Sequence, residues 1–204
     1  MEKIRWGMIG CGSVTEQKSG PGFYKADGSR LVAVMSRTKE KAEDWARRHH
    51  VERAYDSAEM LLDDPQVDAV YVATHPDTHC HYTLMAAERG KPVYCEKPLG
   101  RTWEESHRMV TFCKEQGVPL FSAYYRRALP KYQMVQQLVE SGTYGPVRAL
   151  HIFMGQAIKD EDRTQGGTWR VRPDISGGGM FHDVGSHALD LVDWIIGPIT
   201  KAQG

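Results

Sequence analysis

Through residues 1–122, short apolar runs alternate with longer stretches in which apolar residues recur every three or four positions. Ile4 to Ile9, Leu31 to Met35, Asp68 to Ala73, Pro92 to Cys95 and Val118 to Phe121 read as strands. The second and third are continuously apolar, as expected of strands covered on both faces. Between them the pattern predicts helices. The first is opened by Gly10-Cys11-Gly12 and interrupted near Ser19-Gly20-Pro21-Gly22, where Pro and Gly break it. A charged helix spans Lys39 to His49, and another runs from Asp77 to Arg89 and closes at Gly90. The last carries Ser106, Met109, Val110 and Cys113 on one expected inward face. Strands alternating with helices predict an α/β fold with a parallel sheet.

The pattern changes after residue 122. Tyr132, Val135, Leu138 and Val139 mark an amphipathic helix ending at Gly142. Val147 to Gln156 reads as a strand, and Lys159 to Thr168 as a polar loop whose segment to Gly167 could serve as a lid. Gly177-Gly178-Gly179 opens a last helix running to about Ile196. There is no internal repeat.

Composition narrows the class. The 204 residues carry 26 Lys+Arg and 26 Asp+Glu, a net charge of zero, and 41% are hydrophobic. That usage excludes disorder by composition, and the balance argues against a nucleic-acid surface, which is normally basic. No apolar run approaches the ~20 residues of a membrane helix. The chain enters a strand directly at its N-terminus, and Cys11, Cys80, Cys95 and Cys113 show no paired spacing. A cytoplasmic protein with reduced thiols, no membrane partner and no nucleic-acid partner is expected.

Gly10-Cys11-Gly12 follows an apolar strand and opens a helix, the context of a dinucleotide fingerprint. Gly10 permits the turn; Gly12 lets a pyrophosphate approach the amides of Ser13 and Val14 at the helix start. The third fingerprint position, Gly or Ala by rule, is Thr15, so helix–strand packing must adjust. The next strand ends Met35-Ser36-Arg37-Thr38 without the carboxylate that would bind a ribose 2′-hydroxyl. Ser36 and Arg37 instead suit a 2′-phosphate. NADP(H) is therefore expected as the preferred cofactor, with NAD(H) as the second.

Three later segments complete a set: Ala73-Thr74-His75-Pro76-Asp77-Thr78-His79, Cys95-Glu96-Lys97-Pro98, and Gly177 through His187. With the glycine loop, in this order and spacing, the chain resembles the glucose–fructose oxidoreductase / inositol dehydrogenase (Gfo/Idh/MocA) family from Lys3 onward. The resemblance implies a Rossmann dinucleotide-binding domain over residues 1–122. It implies that residues 123–204 begin an α/β substrate and dimerisation domain with an open mixed sheet, incomplete here because family members continue further. Apolar surface is accordingly expected to be exposed in the second half. Thr74, Pro76, His79, Glu96 and Lys97 match cofactor-lining positions. His75 stands where the family commonly has proline. Lys97, Asp183 and His187 match the catalytic positions, and Arg126, Trp169 and Arg170 the substrate side. The implied activity is hydride transfer between NAD(P) and a sugar, polyol or related cyclic substrate, interconverting alcohol and carbonyl. The implied assembly is a homo-oligomer, dimer or tetramer, at full length.

The residues support parts of this independently. Ligands of open α/β sheets bind outside the carboxyl ends of the strands, where Thr74, His79, Glu96 and Lys97 all fall. Asp183 and His187 are four apart, so one face of an unbroken helix would carry both, with Asp190 continuing it and Asp183 orienting His187 as general base. Neither His182/Asp183/His187 nor His75/His79/His81 makes a complete metal set, and no metal is expected. Two rivals stay open: a non-catalytic cofactor-binding sensor of the same fold, and an NAD-dependent glycosidase.

Overall fold

The computed structural model describes residues 3–155, 157–164 and 166–203. Gln156, which ends the expected strand, and Gln165, within the expected polar loop, lie outside the described residues. The chain forms two compact units, Met1–Ala123 and Tyr124–Gly204.

The first unit is a six-stranded parallel sheet. Its strands are β1 (Ile4–Ile9), β2 (Ser29–Met35), β3 (Arg53–Tyr55), β4 (Ala69–Val72), β5 (Val93–Cys95) and β6 (Leu120–Ser122). They lie in the order β3-β2-β1-β4-β5-β6, the doubly wound Rossmann arrangement. The helices are α1 (Ser13–Gln17), α2 (Gly20–Lys25), α3 (Lys39–His49), α4 (Ala58–Leu62), α5 (Pro76–Glu88) and α6 (Trp103–Glu115). Strand side chains alternate between faces, so Ile9, Met35, Val70 and Val72 join Leu61 and Met109 in one core layer. Met8, Val34 and Tyr71 join Trp45 in the other.

Most sequence expectations hold in this unit. β3 and α4, three and five residues long, are too short for a periodic signal to reveal. Pro21 begins a helix, standing in the first turn of α2, where its missing N–H costs nothing. Val110 departs from expectation: it is half exposed, while Met109 and Cys113 are buried. A step of 100° per residue carries position 110 away from the face that 109 and 113 share.

The second unit contains α7 (Pro130–Glu140), α8 (Asp160–Arg163), α9 (Pro173–Ser176) and α10 (Ser186–Ile195). Short 3₁₀ turns cover Tyr125–Ala128 and Trp169–Val171. The strand expected over 147–156 is not formed across its described residues, 147–155. A strand needs a neighbour for its N–H and C=O groups, and none pairs here among the described residues. Val147, Leu150, Ile152 and Phe153 are exposed, as are Val135 and Leu138 on α7. The expected polar loop contains α8. The helix expected to run unbroken from the three glycines is instead a π-helical turn, Phe181–Gly185, leading into α10.

Candidate functional site

At the end of β1 the chain turns through Gly10 with φ +111°, and a Cβ there would lie 2.7 Å from the Ala73 carbonyl oxygen. Only glycine satisfies both conditions. The same contact sets the turn against the end of β4, and β1 and β4 are the neighbours at which the strand order reverses. Gly12 caps α1 in extended conformation and supplies no side chain to its amides. A Cβ on Gly12 would meet nothing within 4 Å. The first-turn N–H groups of a helix have no intrahelical acceptor, so this open cradle fits a phosphate. Ser13 is exposed and Val14 half-buried beside it.

Thr15 answers the departure from the fingerprint. It is fully buried, and its hydroxyl donates to the Gly12 carbonyl at 2.8 Å. Gly20 leaves room for it: a side chain there would collide with the Thr15 carbonyl. Glu16 would place a negative charge beside an incoming phosphate. Its carboxylate instead accepts from Arg48 at 2.6 and 2.9 Å and lies 2.9 Å from His49. The Arg48 hydrogen bonds, opposed by some burial, lower its pKa to about 2.

At the end of β2, Ser36 Oγ accepts from the Thr38 N–H at 3.4 Å, and Arg37 is exposed. No carboxylate stands between Met35 and Thr38. These are the groups the sequence offers to a 2′-phosphate.

Two loops complete the edge. After β4, Thr74 Oγ1 accepts from the Thr78 hydroxyl at 2.8 Å, while Pro76 is buried as the first residue of α5. Asp77 Oδ1 is buried without a hydrogen-bond partner among the described residues. His79 was expected to line a cofactor, but its ring is engaged within the protein. The side chain is 1% exposed, with Nδ1 2.9 Å from Pro98 O and Nε2 3.2 Å from Thr74 O. It lies buried between the two loops. After β5, Glu96 and Lys97 are half-buried, and the Lys97–Pro98 bond is cis. Glu96 Oε1 accepts from the Tyr71 hydroxyl at 2.6 Å, and Oε2 accepts from the Lys97 N–H at 3.2 Å. Sequence reasoning passed over Tyr71 and its neighbour Ser19. The available signal was a phenol in the middle of an otherwise apolar strand.

In the second unit, Asp183 accepts from Arg170 Nε at 2.9 Å, and the Arg170 guanidinium lies 4.5 Å above the Trp169 ring. These three expected residues therefore form one group. His187 is 5% exposed, its ring met edge-on by Tyr124 at 5.7 Å and Tyr125 at 5.4 Å. Asp190, expected to extend the Asp183/His187 face, is bound to Arg127, with its Oδ1 2.9 Å from Nε. Arg126 is half-buried in the turn that also holds Arg127. Neither the tyrosine pair nor Arg127 was singled out in the sequence, where Tyr124-Tyr125 directly after the last strand was the available cue. Among the described residues no group of three His, Cys, Asp or Glu is placed to hold a metal ion. Among the described residues no helix is long and apolar enough to cross a membrane.

Comparison with known proteins places this arrangement. A curated relative, oxidoreductase P35 of Formosa agariphila, is 41% identical over 98% of this chain and 63% of its own length. The 1,5-anhydro-D-fructose reductase of Ensifer adhaerens is 32% identical over 94% of this chain and 56% of its own length. The chain thus spans about 56–63% of these two relatives. Among solved structures, the WlbA dehydrogenase of Bordetella pertussis, in complex with NADH and UDP-GlcNAcA, superposes with TM-score 0.80 at 27% identity. That match covers 100% of this chain and 60% of WlbA. Residues 4–124 match the family model described as the oxidoreductase family's NAD-binding Rossmann fold, and residues 132–204 match a GFO/IDH/MocA C-terminal domain model. The chain belongs to the GFO/IDH/MocA oxidoreductase family.

Proposed function

We propose that the protein to which this chain belongs is an NAD(P)-dependent oxidoreductase that interconverts an alcohol and a carbonyl on a sugar- or polyol-like small molecule. One observation carries the reading: the topological switch point presents a pinned Gly10, an open Gly12 and, one strand further on, the Glu96-Lys97-Pro98 corner on the same carboxyl edge. The relative that reduces 1,5-anhydro-D-fructose and the neighbour bound to a sugar nucleotide support the substrate class.

In this reading Gly10 shapes the diphosphate loop, and the amides of Gly12, Ser13 and Val14 hold the phosphates. Ser36 and Arg37 receive the 2′-phosphate, giving preference for NADP(H) over NAD(H). Thr74, Pro76 and the Glu96 segment border the ribose and nicotinamide side, with His79 packed against Thr74 and Pro98. When bound, the nicotinamide supplies the two-electron redox chemistry. Lys97 Nζ donates a hydrogen bond to the substrate oxygen and holds the negative charge that grows there. The His187 ring takes the hydroxyl proton in oxidation and returns it in reduction. Asp183, tied to Arg170, is the acid of the same motif; Arg126, Trp169 and Arg170 serve the substrate's hydroxyls or carboxylate. The four cysteines are free and buried, which fits a reducing cytoplasm. Homo-oligomerisation of the whole protein belongs to the same reading.

A screen of sugars, inositols and dihydrodiols with NADP and NAD, read by the absorbance of the reduced nicotinamide, tests the proposal. Net cofactor reduction or oxidation with at least one of them is expected. Cofactor binding without any turnover identifies a sensor instead. Glycoside cleavage without net cofactor change identifies a glycosidase.

A further inference from the structure

β4 is apolar except for Tyr71, whose side chain is fully buried. A phenylalanine would fill the same layer against Phe23, 4.7 Å away between ring centres, and Tyr94, at 5.6 Å. The hydroxyl therefore needs its own explanation. It lies 2.6 Å from Glu96 Oε1 and 2.8 Å from Ser19 Oγ. A phenol carries one proton, and an ionised carboxylate only accepts. Tyr71 thus donates to Glu96, and Ser19 donates to Tyr71. Burial first, and the Glu96 charge second, hold the phenol far above its ordinary pKa, so the donor is never lost in the working range. Glu96 in turn accepts from the Lys97 N–H. On the other side, the Ser19 backbone N–H donates to the Val14 carbonyl at 3.0 Å, in the helix that follows the glycine turn.

We propose that Tyr71 is a positioning residue. Its buried hydroxyl clamps the Glu96 carboxylate against the Lys97 backbone and, through Ser19, ties the Lys97 corner to the helix of the phosphate loop. The relay Ser19–Tyr71–Glu96–Lys97 crosses from the turn between α1 and α2 through β4 to the loop after β5, so the two sequence motifs are joined by hydrogen bonds inside one unit. Its role in turnover rests on the function proposed above for Lys97; the clamp itself does not.

The test compares the wild-type chain with Tyr71→Phe and Ser19→Ala. The activity-independent readout is amide hydrogen exchange. In Tyr71→Phe the Lys97 amide is expected to exchange about tenfold faster, while the Glu96 amide, bonded to Val72 O, keeps its rate. Ser19→Ala shifts the Lys97 amide in the same direction by less. In the kinetic readout, kcat falls about tenfold in Tyr71→Phe while the dissociation constant of the reduced cofactor stays within about twofold. An unchanged Lys97 amide overturns the proposal, and so does a uniform rise across β1, β4 and β5, which marks plain destabilisation. A faster Lys97 amide with unaltered kcat overturns the positioning role. If the wild type neither binds dinucleotide nor turns over, the functional reading fails, and the exchange pattern alone decides the clamp.

Discussion

His79 Nδ1 lies 2.9 Å from the carbonyl oxygen of Pro98, nineteen residues away, inside a core that leaves the ring 1% exposed. The other ring nitrogen faces Thr74 O at 3.2 Å. The neutral ring carries one N–H, which donates to one of these two carbonyls, and the imidazole packs between the loops that follow β4 and β5. Burial lowers its pKa below the ordinary 6.5, against the pull of the carbonyls. The unfolded chain therefore takes up this proton more readily than the native one. Stability from His79 is complete above pH 6.5 and falls as pH drops below it. Urea unfolding of wild type and His79→Gln at a series of pH values checks this. The wild-type midpoint should decline more steeply on the acid side, and parallel curves would contradict it. His79→Ala, which takes the donor from a carbonyl and opens a cavity, should cost about 2–4 kcal/mol.

The thiols are expected to be inert in the native protein. Burial pushes Cys11 up to about 12, with Cys80, Cys95 and Cys113 shifted in the same direction for the same reason. The thiolate is the reactive form. Iodoacetamide at neutral pH should leave all four unmodified by mass spectrometry and label all four in denaturant. Rapid labelling of Cys11 in the folded protein would show that the glycine turn opens.

Arg37 should set cofactor preference. Arg37→Glu removes the cation and adds a charge that repels a 2′-phosphate, so NADPH affinity should fall by about tenfold or more while NADH affinity holds or improves. Equal losses for both cofactors would place Arg37 outside the ribose site.

Much of this was legible in the sequence for identifiable reasons. β1, β2 and β4 are buried on both faces, so their apolar runs were unambiguous, and the glycine turn is demanded by Gly10's backbone and its approach to Ala73. What was missed depends on distant partners. Three-residue β3 has no period of its own, and a strand over 147–156 matched a local pattern that finds no neighbour. Tyr71 stood out only as a phenol in an apolar strand, and its partners Ser19 and Glu96 lie far apart in the chain. His79 was legible by its motif, while its burial was not, because burial is set by α5 packing rather than by its immediate neighbours. The spacing of Asp183 and His187 assumed α-helical geometry, and a π turn stands there instead.

Lys97 carries the proposed chemistry. Lys97→Met keeps most of the side chain's bulk and removes its charge and donors. Turnover should drop by about a hundredfold or more, with cofactor affinity within about threefold of wild type. Turnover near the wild-type level would remove Lys97 from the mechanism.

The central claim is that a dinucleotide lies over the glycine turn at the switch point. Gly10 and Gly12 separate folding from binding. Gly10→Ala forces a side chain at φ +111° onto Ala73 O, costing about 1–3 kcal/mol in backbone strain alone. Gly12→Ala has open space and φ −94°, so it should fold with less than about 0.5 kcal/mol lost. The deciding measurement is a fluorescence titration of NADPH into wild type and Gly12→Ala, with thermal melting of each. The predicted result is saturable binding to wild type, and at least about tenfold weaker binding to an equally stable Gly12→Ala. Equal affinity in the two would contradict the claim, as would no binding to the wild type.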